Sequence, residues 1–131
     1  NLPPRPTLHI RVGNAKHCMV RVVVPPAYDV ETPTSLERCR ADVADAATDP
    51  AAWFLWTFPA PADPANSSVR ADIIAECGIA HRTIGVMTMC DRVKPDQGRS
   101  PAAITARKLD SLRYAHPTLG GGWIAVANGC S

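Results

Sequence analysis

The sequence contains no G-x-x-x-x-G-K-[ST] run, the loop whose backbone N–H groups, lysine and hydroxyl hold a nucleotide's phosphates and magnesium. It also has no D-x-P-G element. Nothing in the chain therefore positions a metal or an attacking water, and nucleotide hydrolysis by this chain alone is not expected. No apolar stretch approaches the ~18 residues of a membrane helix, so no transmembrane segment is expected. A charge of one sign is lacking too: 14 Lys and Arg face 12 Asp and Glu, for a net +2. The basic residues are dispersed along the chain, which argues for a solvated surface and against nucleic acid. Five cysteines include no C-x-x-C pair. There is no internal repeat. The start, Asn1-Leu2-Pro3-Pro4-Arg5-Pro6, is a proline-rich leading segment and does not have the form of a signal peptide. The missing initial Met suggests a processed chain or part of a longer one. The 131 residues suffice for a single domain with a modest core.

What is present is concentrated in residues 53–91. Trp53-Phe54-Leu55-Trp56-Thr57-Phe58 is an apolar run without polar alternation, as in a strand covered on both faces. A proline-rich loop follows, and Asn66 or Ser67 is placed to cap a helix with Val69, Ile73 and Cys77 on its apolar face. Gly78 is its natural stop. Thr83-Ile84-Gly85-Val86-Met87-Thr88 is a second apolar run. A helical crossover of this length makes the two strands parallel.

The flanks extend this unit. Leu8-His9-Ile10-Arg11-Val12 alternates like a half-buried strand, and residues 19–24 are rich in β-branched side chains. With Gly13-Asn14 between them, they predict an antiparallel hairpin at the sheet edge, stopped by Pro25-Pro26. A helix opens either at Pro33 as its first residue or with Thr34 and Glu37 as a capping box. Leu36, Cys39, Val43 and Ala46 or Ala47 form its apolar face, and Asp49-Pro50 ends it. Ser100-Pro101 opens another helix with Ala102, Ala106 and Leu109 on one face and Leu112 beside it. Gly120-Gly121-Gly122 leads into a final strand at residues 123–127. The whole predicts an α/β fold in three layers: a mixed, mostly parallel sheet with an N-terminal antiparallel hairpin and helices on both faces.

Three motifs carry a resemblance. Pro59-Ala60 with Asp63-Pro64-Ala65-Asn66-Ser67 is similar to P-A-N-x-D-x-A-N-S. Arg82-Thr83-Ile84-Gly85-Val86-Met87-Thr88-Met89-Cys90-Asp91 is similar to R-T-I-G-V-[IL]-T-K-x-D. Gly122-Trp123-Ile124-Ala125-Val126-Ala127-Asn128 is similar to G-Y-[IV]-G-V-[VN]-N. Together they resemble the second half of the GTPase domain of the dynamin superfamily, the first two at its spacing without a gap. The resemblance implies an incomplete GTPase-like domain over residues 1–131, with residues 1–7 leading into it. It implies a guanine pocket at Thr88, Met89, Asp91 and Asn128, where the carboxylate of Asp91 accepts from the base's N1 and N2 donors. Met89 stands where the family has lysine, which removes a charge and all its donors. Gly129, Cys130 and Ser131 stand where R-S-Q would follow the asparagine. GTP is the one cofactor the resemblance makes possible. No catalytic residue and no metal ligand is expected.

The remaining candidates have ordinary readings. Cys39 and Cys77 fall on helix faces as reduced buried thiols, and a disulfide among Cys18, Cys90 and Cys130 is the alternative. Cys77-x-x-x-His81 has a metal-like spacing interrupted by Gly78. Asn66-Ser67-Ser68 is a sequon better explained as a cap. Trp53 and Trp56 suit a core or an interface.

The resemblance also raises a physical difficulty. The strand bearing the family's phosphate loop lies between those seen here at 19–24 and 53–58, so the sheet has a gap. Buried unpaired backbone groups cost roughly 1–3 kcal/mol each. Either the two strands pair directly or another segment fills the slot. The leading expectation is a structural or interaction component, intracellular, whose sheet is completed or covered by other protein chains. The alternatives are the C-terminal half of a true GTPase with its phosphate loop supplied elsewhere, and a module that holds a purine nucleotide without hydrolysis.

Overall fold

Apolar runs with β-branched and aromatic residues form the strands, and the proline-opened segments form the helices. The structure is a computed structural model, and it describes residues 8–13, 20–24, 32–115 and 118–127. The chain groups into two compact units, Asn1–Asp42 and Val43–Ser131.

In the first unit β1 (Leu8–Val12) and β2 (Val20–Val24) pair antiparallel, from Leu8 opposite Val24 to Val12 opposite Val20. Met19 and the turn predicted before it lie outside the described residues, apart from Gly13. The hairpin is a two-stranded sheet of its own and not the edge of a mixed sheet. Helix α1 (Pro33–Ala46) begins in this unit and ends in the next. It opens at Pro33, so of the two predicted registers the one with proline at the first position is realised.

The second unit holds β3 (Phe54–Pro59), α2 (Ser68–Glu76), β4 (Thr83–Thr88), α3 (Pro101–Ala115) and β5 (Trp123–Ala125). The strands run parallel in the order β3-β4-β5. The α/β class and the strand–helix–strand unit are as expected. The final strand is shorter than predicted, three residues at 123–125.

The register explains a glycine. Trp56, Gly85 and Trp123 stand side by side across the three strands. The indole rings of Trp56 and Trp123 meet over Gly85 with centroids 5.1 Å apart. A Cβ at position 85 would lie 2.2 Å from Cδ2 of Trp123, so only glycine lets the rings close. Phe58 and Met87 extend this buried face, against which Ala71 and Ile74 of α2 and Leu112 of α3 pack. Val43 and Ala47, at the end of α1, join the same cluster.

The opposite face of β3 is not covered as the uniformly apolar run implied. Leu55 is 63% exposed and Thr57 is exposed. Beside them lie half-buried Ile84 and Val86 and exposed Ile124. The run shows little alternation because outward Leu55 is itself apolar and Thr57 is the one polar residue in it. Trp53 falls outside β3 and is exposed.

The helix ends follow local chemistry. Asp63 begins a tight helical turn, Pro64–Ser67, and its carboxylate accepts from Ala65 N at 3.0 Å. Ser67, one of the two predicted caps, stands at the N-cap position of α2 without a side-chain cap hydrogen bond. Ser67 is fully buried and its hydroxyl donates to the Pro64 carbonyl, while the Asn66 side chain lies outside what is described. At the other end of α2, Ile79 N donates to Ile74 O and Gly78 N to Ala75 O, with Gly78 at φ +65°. This six-to-one and five-to-two pair is a Schellman stop. In α3, Ser100 Oγ caps Ala103 N at 3.2 Å. The inner face of α3 runs through Ile104, Leu109 and Leu112, while Ala102 and Ala106 are exposed, contrary to the predicted face.

Candidate functional site: the carboxyl edge of the parallel sheet

Open parallel sheets hold ligands in the loops beyond the carboxyl ends of their strands. Here three such loops converge. Thr88 ends β4, and its carbonyl accepts from Ala60 N at 2.8 Å, which ties it to the end of β3. Its hydroxyl lies 3.5 Å from Phe58 O. Met89 has a left-handed backbone, φ 59°, ψ 33°, and is 41% exposed. That conformation is uncommon for a side chain with a Cβ, and it turns the chain sharply out of the strand. A tight helical turn, Cys90–Arg92, follows. Asp91 sits in it, with a carboxylate oxygen 3.9 Å from Arg92 Nε. Cys90 N donates to Val126 O at 3.2 Å, so this turn rests on the end of the β5 segment.

Thr88, Met89 and Asp91 thus share one loop, and that loop is hydrogen-bonded two residues before Asn128. Asn128 itself lies outside the described residues. Cys39, Cys77 and Cys90 are half-buried and in no disulfide, while Cys18 and Cys130 lie outside the described residues. His81 is exposed in the turn before β4. Among the described residues no three His, Cys, Asp or Glu side chains gather to hold a metal. Nor is any helix among them long and apolar enough to cross a membrane.

Three features escaped the sequence reading. At the amino end of β4, Arg82 reaches back to three backbone carbonyls: Asp49 O at 2.6 Å, Ala52 O at 3.2 Å and Ala47 O at 2.5 Å. Its guanidinium also lies 5.5 Å from the centre of the Phe54 ring. One planar fork thereby closes the connection from α1 to β3. At the carboxyl edge, Lys108 of α3 donates to Ala60 O at 2.7 Å and Ala62 O at 3.1 Å, fixing the loop after β3. Beside it opens a cleft of about 480 Å³ edged by Arg92, Lys94, Arg99 and Arg107 as well as Lys108. These five cations all lie within residues 92–108, on the loop after β4 and on α3, and the fold turns them toward one cleft.

Neither a protein family, nor a curated protein, nor a solved structure matches the chain.

Proposed function

We propose that this chain is a structural or interaction component whose parallel sheet is completed by another polypeptide. One observation carries this. Among the described residues β3 has a strand neighbour on one side alone, and its outward face presents Leu55 at 63% exposure. An apolar edge strand is a template for strand addition, in which backbone groups give affinity and alternate side chains give specificity. The slot beside β3 is also where the resemblance to the dynamin-type GTPase domain leaves its missing strand, so a degenerate domain of that kind is the origin we favour. Its compartment on this reading is intracellular, and its partners are protein chains.

The test is site-specific photocrosslinking in cells that produce the chain, with the photoreactive residue at Leu55 or, as control, at Arg113 on α3. An adduct with another polypeptide from position 55 and none from 113 is the expected result. A folded monomer that gives no adduct from position 55 would overturn the proposal.

A second reading has its own support. The contact of Cys90 N with Val126 O brings the Thr88–Asp91 loop to the segment carrying Asn128. A purine base held there by Asp91 without hydrolysis fits that arrangement. Titration with fluorescent GTP and ATP tests it: GTP-selective saturation abolished by Asp91→Ala supports the pocket, and an affinity unchanged by that substitution removes it.

A further inference from the structure

The basic cleft beside α3 is not part of either reading above, and its lining includes none of Thr88, Met89 and Asp91. From its charge and its framework we infer that it binds a compact, phosphate-bearing small molecule carrying at least two negative charges. Five cations and one carboxylate, Asp96, edge the cleft, a local excess of four positive charges. The whole chain carries only +2, so the remainder is net negative by two. Such a concentration is self-repulsive, with Asp91 beside Arg92 offsetting only part of it, and a bound polyanion relieves it.

The cations differ in what they already do. Lys108 is committed to the carbonyls of Ala60 and Ala62, and Arg92 lies near Asp91. Lys94, Arg99 and Arg107 have no carboxylate within ion-pairing distance among the described residues. They are the groups available to a ligand.

The framework is fixed on both sides. Arg107 projects from the middle of α3. Arg99 ends a tight two-residue turn in which Asp96 N donates to Arg99 O at 3.3 Å and Arg99 N to Asp96 O at 2.9 Å. Its central residues, Gln97 and Gly98, have φ +48° and +76°, the primed hairpin geometry that demands left-handed backbone. A glutamine held there marks a turn set by its surroundings. Buried Val93 and half-buried Ile104 also line the cleft, and the exposed arginine forks beside them suit phosphate oxygens. The cleft's volume suits a small molecule better than an extended macromolecule.

The probe is inorganic tripolyphosphate, titrated calorimetrically into the full chain, with sulfate as a smaller dianion and a single-stranded oligonucleotide as an extended one. We expect one saturable site for tripolyphosphate, weakened by added salt, with sulfate much weaker. Arg99→Ala and Arg107→Ala should each lower its affinity about tenfold, as loss of one charge-assisted contact does. Both residues are exposed, so the variants should fold, which circular dichroism checks. Arg107→Lys should recover part of the loss, and Arg113→Ala, outside the cleft, none should follow. The inference fails if tripolyphosphate does not saturate, if the two cleft variants bind as well as the parent, or if Arg113→Ala weakens binding equally. Tighter binding of the oligonucleotide, sensitive to basic residues outside the cleft, would replace it with an extended nucleic-acid surface.

Discussion

Along β3, Phe54, Trp56 and Phe58 point to one face of the sheet and Leu55 to the other, next to Ile84 of β4. Both sets are apolar, yet Phe58 is 2% exposed and Leu55 63%. The strand sequence does not make this difference. It arises because α2 and α3 bring Ala71, Ile74 and Leu112 to one face, while Leu55, Thr57 and Ile124 stay exposed on the other. Alternation in a strand reports which way side chains point, and only the packing of other elements decides which direction is inside.

Substitutions can break this comparison in order of effect. Phe58→Ala should cost about 3–5 kcal/mol in urea unfolding, because a fully packed ring leaves a cavity among its neighbours. Gly85→Ala should cost about 1–3 kcal/mol by driving a methyl into the Trp123 ring. Adding Trp123→Leu to Gly85→Ala should recover part of that loss, and a double-mutant cycle with no coupling would show that the two rings do not close over position 85. Arg82→Ala should cost about 2 kcal/mol, since three carbonyls at the α1–β3 connection lose a charged donor. Amide exchange should then quicken first in residues 47–52. If it quickens uniformly, the arginine does not act locally there.

The same contrast divides what could be read from the residues. Strands at 83–88 and the glycine stop at 78 follow from local chemistry and were legible: a β-branched run, and a residue free to adopt φ +65°. Helix α3 was legible at its start, where Ser100 and Pro101 act locally, and misread on its face. Ala102 and Ala106 have the right spacing but point outward, since Ile104 and Leu109 offer more apolar area to bury. The cap at Asp63 was missed because a proline after an aspartate makes an Asx turn one step before the helix itself. Of the candidate site, the Thr88–Asp91 loop could be found as a strand end. Arg82 and Lys108 could not, because each works through partners 30 or more positions away, and the basic cleft could not, because cations spaced along residues 92–108 converge only through the turn at 96–99 and helix α3. A signal did exist for Arg82 in retrospect: a cation directly before a buried strand needs carbonyls or a carboxylate within reach.

The smallest effect on stability should come from the open face, and it sharpens the comparison most. Leu55→Thr places a β-branched residue in the strand and removes apolar area that the chain alone leaves in water. Its unfolding free energy should stay within about 0.5 kcal/mol of the parent. If the face is covered by another polypeptide, Leu55→Thr combined with Ile124→Thr should nevertheless weaken that association by tenfold or more, since roughly 25 cal/mol is lost per Å2 of apolar contact. The two measurements separate the alternatives. A large stability loss would place Leu55 in the chain's own core. A small loss with an unchanged association would move the partner to another surface. A small loss with a weakened association assigns the exposed leucine to a contact made between chains.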